Sequence, residues 1–146
     1  WHFGMKAHVS VDAKSGLVHT VGITTASDHD SSVIGKLVRE DDRAVFGDKG
    51  YYNDQIKQAA RKAGVYWAVL DKAKRNRKLS ASQRKRNKKH ASVRAKVEHV
   101  FRIVKCQFGY RKTRYRGLAK NAAQVFSLMA LANLYQARGA LLAVAG

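Results

Sequence analysis

The predicted elements of this chain place it in the α/β class, as a mixed sheet with helices packed on its faces. Residues 5–25 have the pattern of an antiparallel hairpin, two further short runs are rich in β-branched and aromatic residues, and a helical pattern precedes each of those runs. At 146 residues, 45% of them hydrophobic, the chain is long enough to bury a core.

Alternation and turn residues predict the hairpin. Met5, Ala7, Val9 and Val11 alternate with polar side chains, which is the period of a strand with one buried face. The run from 17 to 25 is rich in β-branched residues, and "DAKSG" between the two runs supplies the turn. The two strands are therefore expected to pair antiparallel.

The segment after the hairpin is predicted to alternate between helix and strand. Asp28 and Asp30, within the polar stretch 28–32, are expected to cap the first helix, and Gly64 to end the second. The expected elements are a helix over about 33–40, a strand over 44–46, a helix over about 54–63 and a strand over 65–70.

Two more helices are predicted in the last third of the chain. Valine and phenylalanine recur at helical spacing over 92–108, where Gly109 ends the element. The segment 122–146 is the most apolar, but polar residues interrupt it, so we expect a packed helix and no membrane span. The interruptions are Gln124, Asn133, Gln136 and Arg138.

The charge of the chain limits its partners. Its 29 Lys and Arg against 10 Asp and Glu give a formal net charge of +19, which attracts polyanions, nucleic acid first and an anionic membrane surface second. Cys106 is the only cysteine, which excludes an internal disulfide and a cysteine-based zinc site and suits a reducing compartment.

Two basic clusters are the candidate DNA-binding segments. Residues 72–89 hold ten Lys or Arg in eighteen residues, which predicts either a solvated, mobile linker or a phosphate-contacting segment that orders on binding. A second cluster interleaves Tyr110 and Tyr115 with cations, which favours nucleic acid over a membrane. The candidate residues are Lys72, Lys74, Arg75, Arg77, Lys78, Arg84, Lys85, Arg86, Lys88, Lys89, Arg111, Lys112, Arg114 and Arg116.

Asp48 directly follows the predicted third strand, between Gly47 and Gly50. Sites in α/β folds are usually built at the C-terminal ends of strands. The two glycines would let the backbone and a ligand approach closely. The alternative is an aspartate in an ordinary turn.

Glu98 is the only acidic residue after Asp71, and Arg94 and Arg102 lie one helical turn before and after it. Such spacing is typical of a surface salt-bridge ladder worth about 0.3–0.5 kcal/mol per pair. The alternative is metal-assisted phosphoryl transfer, in which carboxylates hold divalent cations against a polyanion. The spacing alone leaves both open.

Three stretches together resemble a known family. They are "WHFGMKAHVSVDAKSGLVHTV", "VFGDKGYY" and "RAKVEHVFRIVKCQFGYRKTRYRGLAKNAAQVFSLMALANLY". They are similar to the C-terminal part of bacterial insertion-sequence transposases of the DDE class, above all the insertion sequence five family. The resemblance extends from Trp1 to about Gln136.

This resemblance implies an RNase H-like fold and a triad of two aspartates and a glutamate that binds two divalent metal ions, usually Mg²⁺ or else Mn²⁺. Such enzymes cut DNA at transposon ends and join the freed 3′ hydroxyl to target DNA. Asp48 matches the second aspartate, Glu98 the glutamate, and Arg94 the arginine four residues before that glutamate. Ala91 stands where the family often has a tyrosine.

The first aspartate of the triad has no match, because the family carries it on a central strand before the stretch that starts at Trp1. Asp12 does not match it, and Asp28 and Asp30 are expected to cap a helix. The resemblance therefore makes the whole of 1–146 the C-terminal part of a catalytic domain, truncated at its N-terminus and inactive alone. The strands beside the missing one would lose partners, at about 1–3 kcal/mol for each buried unsatisfied group, so an interrupted or rearranged sheet is expected.

The same resemblance implies DNA as partner, both transposon ends and target, with no membrane. It also implies a homodimer of the full-length parent and a bacterial cytoplasmic, nucleoid-associated location. The alternative function is a non-catalytic basic DNA-binding module or remnant, which fits the composition equally well. An RNA-binding or ribosome-associated protein fits the charge but does not explain Asp48 and Glu98.

Overall fold

The computed structural model describes residues 4–73 and 75–145. The chain divides into two compact units, which are described separately below. The first comprises Trp1–Ala26 with Lys96–Gly146, and the second comprises Ser27–Ala95.

The first unit contains the predicted hairpin. Strands β1 (Met5–Val11) and β2 (Val18–Thr25) pair antiparallel, with Met5 opposite Thr25. The carboxylate of Asp12 accepts hydrogen bonds from the backbone of Lys14 and Ser15 and from the Ser15 hydroxyl, which closes the turn. Asp12 therefore has a structural role, and the prediction of a hairpin is confirmed.

The core of this unit lies between the hairpin and the C-terminal helices. Helix α3 (Ala81–Arg102) continues into a π-helical segment (Ile103–Gln107), and Gly109 follows with φ of +65°. Helix α4 (Leu118–Ala145) packs on β2 and on the π-helical segment. The buried side chains of this core are Val9, Val100, Ile103, Val104, Val125, Met129 and Ala132.

The Asn133 side chain attaches α4 to the hairpin. Its amide nitrogen donates to the Val18 carbonyl and its amide oxygen accepts from the Val18 N–H, both at 2.7 Å. The opposite face of α4 is exposed, with Leu131 and Leu134 half in solvent. The prediction of a packed helix thus holds for one face, and no helix among the described residues is long and apolar enough to cross a membrane.

The second unit holds a parallel strand pair. Strand β3 (Ala44–Gly47) pairs with β4 (Tyr66–Val69), and helix α2 (Asp54–Lys62) connects them. Asn53 caps α2 by accepting from the N–H groups of Gln55 and Ile56. Gly64 has φ of +73° just after α2, so the prediction that it ends the helix is confirmed.

The helix predicted over 33–40 is much shorter. A 3-10 turn (Asp30–Ser32) precedes helix α1 (Ile34–Leu37), and Val38 is already extended. The Arg39 N–H donates to the Asp42 carboxylate, which stabilises a turn where a helix was expected. The cap positions belong to His29 and Val33, and neither makes a side-chain cap, so the capping role of Asp28 and Asp30 stays a prediction.

The basic run 72–89 is only partly a linker. Helix α3 begins at Ala81, so the prediction of a mobile segment fails for the second half of the run. Ser80 and Gln83 cap each other: the Gln83 N–H donates to the Ser80 hydroxyl, and the Ser80 N–H donates to the Gln83 side-chain oxygen. This reciprocal capping box is a helix start signal readable in "SASQ".

The strands form two sheets of two strands each, β1 with β2 and β3 with β4, where the sequence predicted one mixed sheet. The chain is therefore an α/β protein with divided sheets, compatible with the interruption that the resemblance led us to expect.

Candidate active site and nucleic-acid interface

Asp48 lies where the sequence predicted it, one residue beyond the C-terminal end of β3. It caps the 3-10 turn Lys49–Tyr51, because its Oδ1 accepts from the Lys49 N–H at 2.7 Å. Its side chain is 45% exposed. One carboxylate oxygen is thus held by the backbone while the group as a whole stays accessible.

Arg94 approaches the other carboxylate oxygen of Asp48. Its Nη1 lies 3.6 Å from Asp48 Oδ2, and both side chains are partly exposed. Arg94 lies on the part of α3 that belongs to the second unit. The helical spacing in the sequence predicted that Arg94 would pair with Glu98. The proximity of Arg94 to Asp48 is seen only in the folded chain.

The glycines beside Asp48 serve packing. A β-carbon on Gly47 would lie 3.2 Å from a methyl group of Val69 on the neighbouring strand. A β-carbon on Gly50 would lie 2.9 Å from the Asp30 carboxylate. We had expected these glycines to admit a ligand, but contacts within the unit already explain them.

Asp30 and Tyr51 are neighbours of Asp48 that the sequence did not identify. Burial, then the charge of Asp30, then that of Asp48, raise the pKa of Tyr51 to about 12. The phenolate form is thus disfavoured by burial and by two nearby negative charges. The only available signal was the acidic stretch "SDHDS", and nothing in it indicated contact with the Asp48 turn.

Glu98 is exposed on α3, one turn after Arg94, in the part of the helix that belongs to the first unit. Asp48 belongs to the second unit. Within residues 4–73 and 75–145, no group of three or more His, Cys, Asp or Glu side chains could hold a metal ion. Asp48 and Glu98 are thus each an oxygen-donor carboxylate described within its own unit.

The cations predicted to bind DNA are exposed along the first basic segment and in the loop before α4. Arg86 also makes an ion pair with Asp71, at 2.9 Å between Nη2 and Oδ2. Lys74 lies outside the described residues. The exposed cations are Lys72, Arg75, Arg77, Lys78, Arg84, Lys85, Arg86, Lys88, Lys89, Arg111, Lys112, Arg114 and Arg116.

Helix α2 adds two cations that sequence reasoning missed. Lys57 and Arg61 are one helical turn apart, and both line a cavity with Arg86 of α3. Lys57 Nζ lies 5.3 Å from the centre of the Tyr52 ring. Their spacing of four residues was visible in the sequence, but without a like-charged run around them they did not indicate a binding surface.

The second basic cluster is fixed by Asn121, which is 1% exposed at the start of α4. Its amide nitrogen donates to the carbonyl of Tyr115 at 2.6 Å and to that of Gly117 at 2.7 Å. A helix thereby holds the end of an exposed loop that carries Arg111, Arg114 and Arg116.

Comparison with known proteins identifies the family of the chain. The family described as Transposase DDE domain matches residues 1–134, which is nearly the whole chain. No solved structure matches the chain. The structure has an accessible carboxylate at a strand end, a second carboxylate on a basic helix and many exposed cations. The chain that carries them belongs to the transposase DDE domain family.

Proposed function

We propose that this chain carries two of the three catalytic carboxylates of a DDE transposase of the insertion sequence five family. The activity is cleavage of DNA at transposon ends and joining of the freed 3′ hydroxyl to target DNA. The observation that carries the proposal is Asp48, a carboxylate kept accessible at the end of a strand beside a guanidinium. A basic protein gains nothing in phosphate binding from an acidic group there, whereas a metal-dependent enzyme needs one.

The donor chemistry fits a divalent metal. Members of the DDE transposase family typically use one, and the side chains of Asp48 and Glu98 provide the hard oxygen ligands that Mg²⁺ and Mn²⁺ prefer. Asp48 would share one metal ion with the third carboxylate of the triad and Glu98 would hold the second, and these ions would supply an activated water and neutralise charge on the scissile phosphate.

The other residues have supporting roles. Arg94 would neutralise phosphate charge beside Asp48, and its own ion pair holds the carboxylate until the site is loaded. The exposed cations of the two basic clusters would hold the DNA backbone without reading bases. Two transposon ends must be brought together, which implies at least a dimer of the parent protein.

The third carboxylate would come from a further strand of the catalytic domain. The division of the strands into two sheets supports this part of the proposal. The test is the nucleotide sequence in frame before the Trp1 codon. An open frame with a strand pattern and an aspartate supports the proposal, whereas a stop codon or frameshift there would leave the chain without its third ligand.

Activity is tested in the intact transposase with its own element ends as substrate. Asp48→Asn and Glu98→Gln should each abolish Mg²⁺-dependent strand cleavage while DNA affinity stays within a few fold. Asp41→Asn is the matched control, because Asp41 is an exposed carboxylate in an ion pair with Arg39 and has no predicted role. Equal loss of binding and cleavage in Asp48→Asn would exclude the metal-ligand role.

A second candidate function is a non-catalytic DNA-binding remnant. It is favoured by the lack of a three-ligand group among the described residues. Metal dependence separates the two functions: a remnant would bind DNA equally with and without Mg²⁺, and Asp48 and Glu98 would be replaceable without consequence.

A further inference from the structure

The second unit contains a cavity of about 370 Å³ whose walls are aromatic and apolar and whose rim is cationic. We name it the aromatic cavity. Helix α2, strand β4 with its flanking residues, and the basic half of α3 each contribute to it. Its lining residues are Lys57, Arg61, Val65, Tyr66, Trp67, Val69, Asp71, Arg86 and His90.

Tyr66 provides a fixed aromatic wall. The residue is 55% exposed, although it lies on a strand. It meets the ring of His90 edge to face at 5.8 Å and that of Phe46 at 6.4 Å, and its hydroxyl is 3.1 Å from His90 Nε2. The surroundings hold the ring in place while much of it remains available to stack on another planar group.

The cavity also presents a hydrogen-bond acceptor. Trp67 is on its lining, but the indole N–H is buried and has no hydrogen-bond partner among the described residues. Trp67 therefore serves the cavity as a lining residue and not as an accessible donor. The Asp71 carboxylate, held by Arg86, is the acceptor on the same lining.

A second cavity of about 830 Å³ adjoins the first, because the two share Lys57, Asp71 and Arg86. We name it the basic channel. Its lining includes Lys72, Arg75, Arg77 and Lys78 of the first basic segment. A polyanionic backbone attracted into this channel would therefore meet the aromatic cavity.

We propose that the aromatic cavity takes an unpaired base of single-stranded DNA whose phosphates lie along the basic channel. A stacking wall, a hydrogen-bond acceptor and a cationic approach together match a nucleotide, whereas a double helix keeps its bases stacked inside and offers mainly its phosphates. The inference rests on the proposed function, since a break in one strand at a transposon end makes the terminal nucleotide easier to turn out of the duplex into such a cavity.

The chain offers a direct test, because its only tryptophans are Trp1 and Trp67. The Trp1→Phe variant leaves Trp67 as the single indole reporter. Its emission should fall on titration with oligothymidylate of about ten nucleotides in a chelator. An abasic oligonucleotide of equal length and a duplex should bind, as followed by the anisotropy of a labelled strand, yet leave the emission nearly unchanged.

Two variants at Tyr66 complete the test. In the Trp1→Phe background, Tyr66→Ala should weaken binding of the single strand by roughly 5- to 100-fold through lost stacking, with duplex affinity unchanged. Tyr66→Phe keeps the ring and loses only the hydroxyl contact to His90, so it should bind within about twofold of its parent. Trp67 emission in the free protein checks that each variant is folded.

Equal quenching by the abasic oligonucleotide, or equal loss of single-strand and duplex binding in Tyr66→Ala, would overturn the inference and leave a backbone-binding surface. No divalent metal is present in these titrations. A failure of strand cleavage would therefore contradict the proposed function without affecting this measurement, and the reverse also holds.

Discussion

Arg94 holds a guanidinium nitrogen 3.6 Å from a carboxylate oxygen of Asp48, across the sequence from a turn after β3 to the middle of α3. Both side chains are partly exposed, so water screens the pair and its net stabilisation is at most about 1 kcal/mol. A contact this weak is easily exchanged. A metal ion or a phosphate could take one partner at little cost to the fold.

If a metal ion or a phosphate replaces one partner of this pair, Arg94 should weaken metal binding and support strand cleavage. In the intact transposase, Arg94→Ala should tighten Mn²⁺ binding a few fold, because a positive neighbour no longer repels the ion, while strand cleavage falls. Calorimetric Mn²⁺ titration and a cleavage assay measure the two effects. Lys62→Ala, at an exposed cation in the last turn of α2, should leave Mn²⁺ affinity unchanged. Weaker Mn²⁺ binding in Arg94→Ala would mean that the arginine positions Asp48 for the metal.

The cationic surface predicts a steep salt dependence. If about eight phosphates are neutralised, the slope of log affinity against log salt for duplex DNA should be near −7. Changing Arg75, Arg77 and Lys78 together to Gln should make that slope shallower by about one per residue, as measured by anisotropy between about 50 and 200 mM salt. Lys36→Gln, an exposed cation of α1 outside both clusters, should not alter it. An unchanged slope in the triple variant would remove the first basic segment from the DNA interface.

His90 predicts that stability falls in mild acid. Burial, with Lys89 and Arg86, lowers its pKa below the ordinary 6.5, and Asp71 and the Ala68 carbonyl oppose the shift only in part. The unfolded chain therefore binds the proton more readily, and the stability present above pH 6.5 is lost as the pH falls through the folded value. Urea unfolding of His90→Gln should show less loss on acidification than the parent. His29→Gln, at an exposed histidine, should behave as the parent does, and an identical pH dependence in all three would contradict the role of His90.

The hydrogen bonds of Asn121 predict that one side chain stabilises the loop that carries the second basic cluster. Asn121→Ala leaves the Tyr115 and Gly117 carbonyls without their donor and should lower the free energy of unfolding by about 1–3 kcal/mol. Asn121→Asp removes both donated bonds while keeping the shape, so it should cost at least as much. Chemical denaturation measures both variants. An Asn121→Asp protein as stable as the parent would mean that the loop is held by other contacts.

The parts of the fold that could be predicted from the sequence are those with strong local signals. Alternation in β1 and the Asp12 turn specified the hairpin, and Gly64 and Gly109 marked element ends through their positive φ. The helix expected over 33–40 failed because turn hydrogen bonds of Arg39 and Asp42 compete with it. The start of α3 was not predicted, because the ten Lys and Arg of residues 72–89 indicated a charged segment and the capping box of Ser80 and Gln83 was not considered.

The candidate site was predictable only one residue at a time. A strand end and an isolated acid on a basic helix identified Asp48 and Glu98 as candidates. Some features join residues that are distant in the sequence: Arg94 lies near Asp48, and Lys57 and Arg86 line the same cavity. These features depend on how α2, β3 and α3 pack. No spacing rule within one element contains that information.

The amide of Asn133 acts on β2 as a short length of strand would, since it offers one N–H and one C=O to the same residue. Both backbone groups of Val18 are thus occupied. A free strand edge invites pairing with other chains, and this one is blocked at Val18 by a side chain. The helix that completes the core therefore also occupies part of the edge at which the β-branched hairpin could pair with another chain.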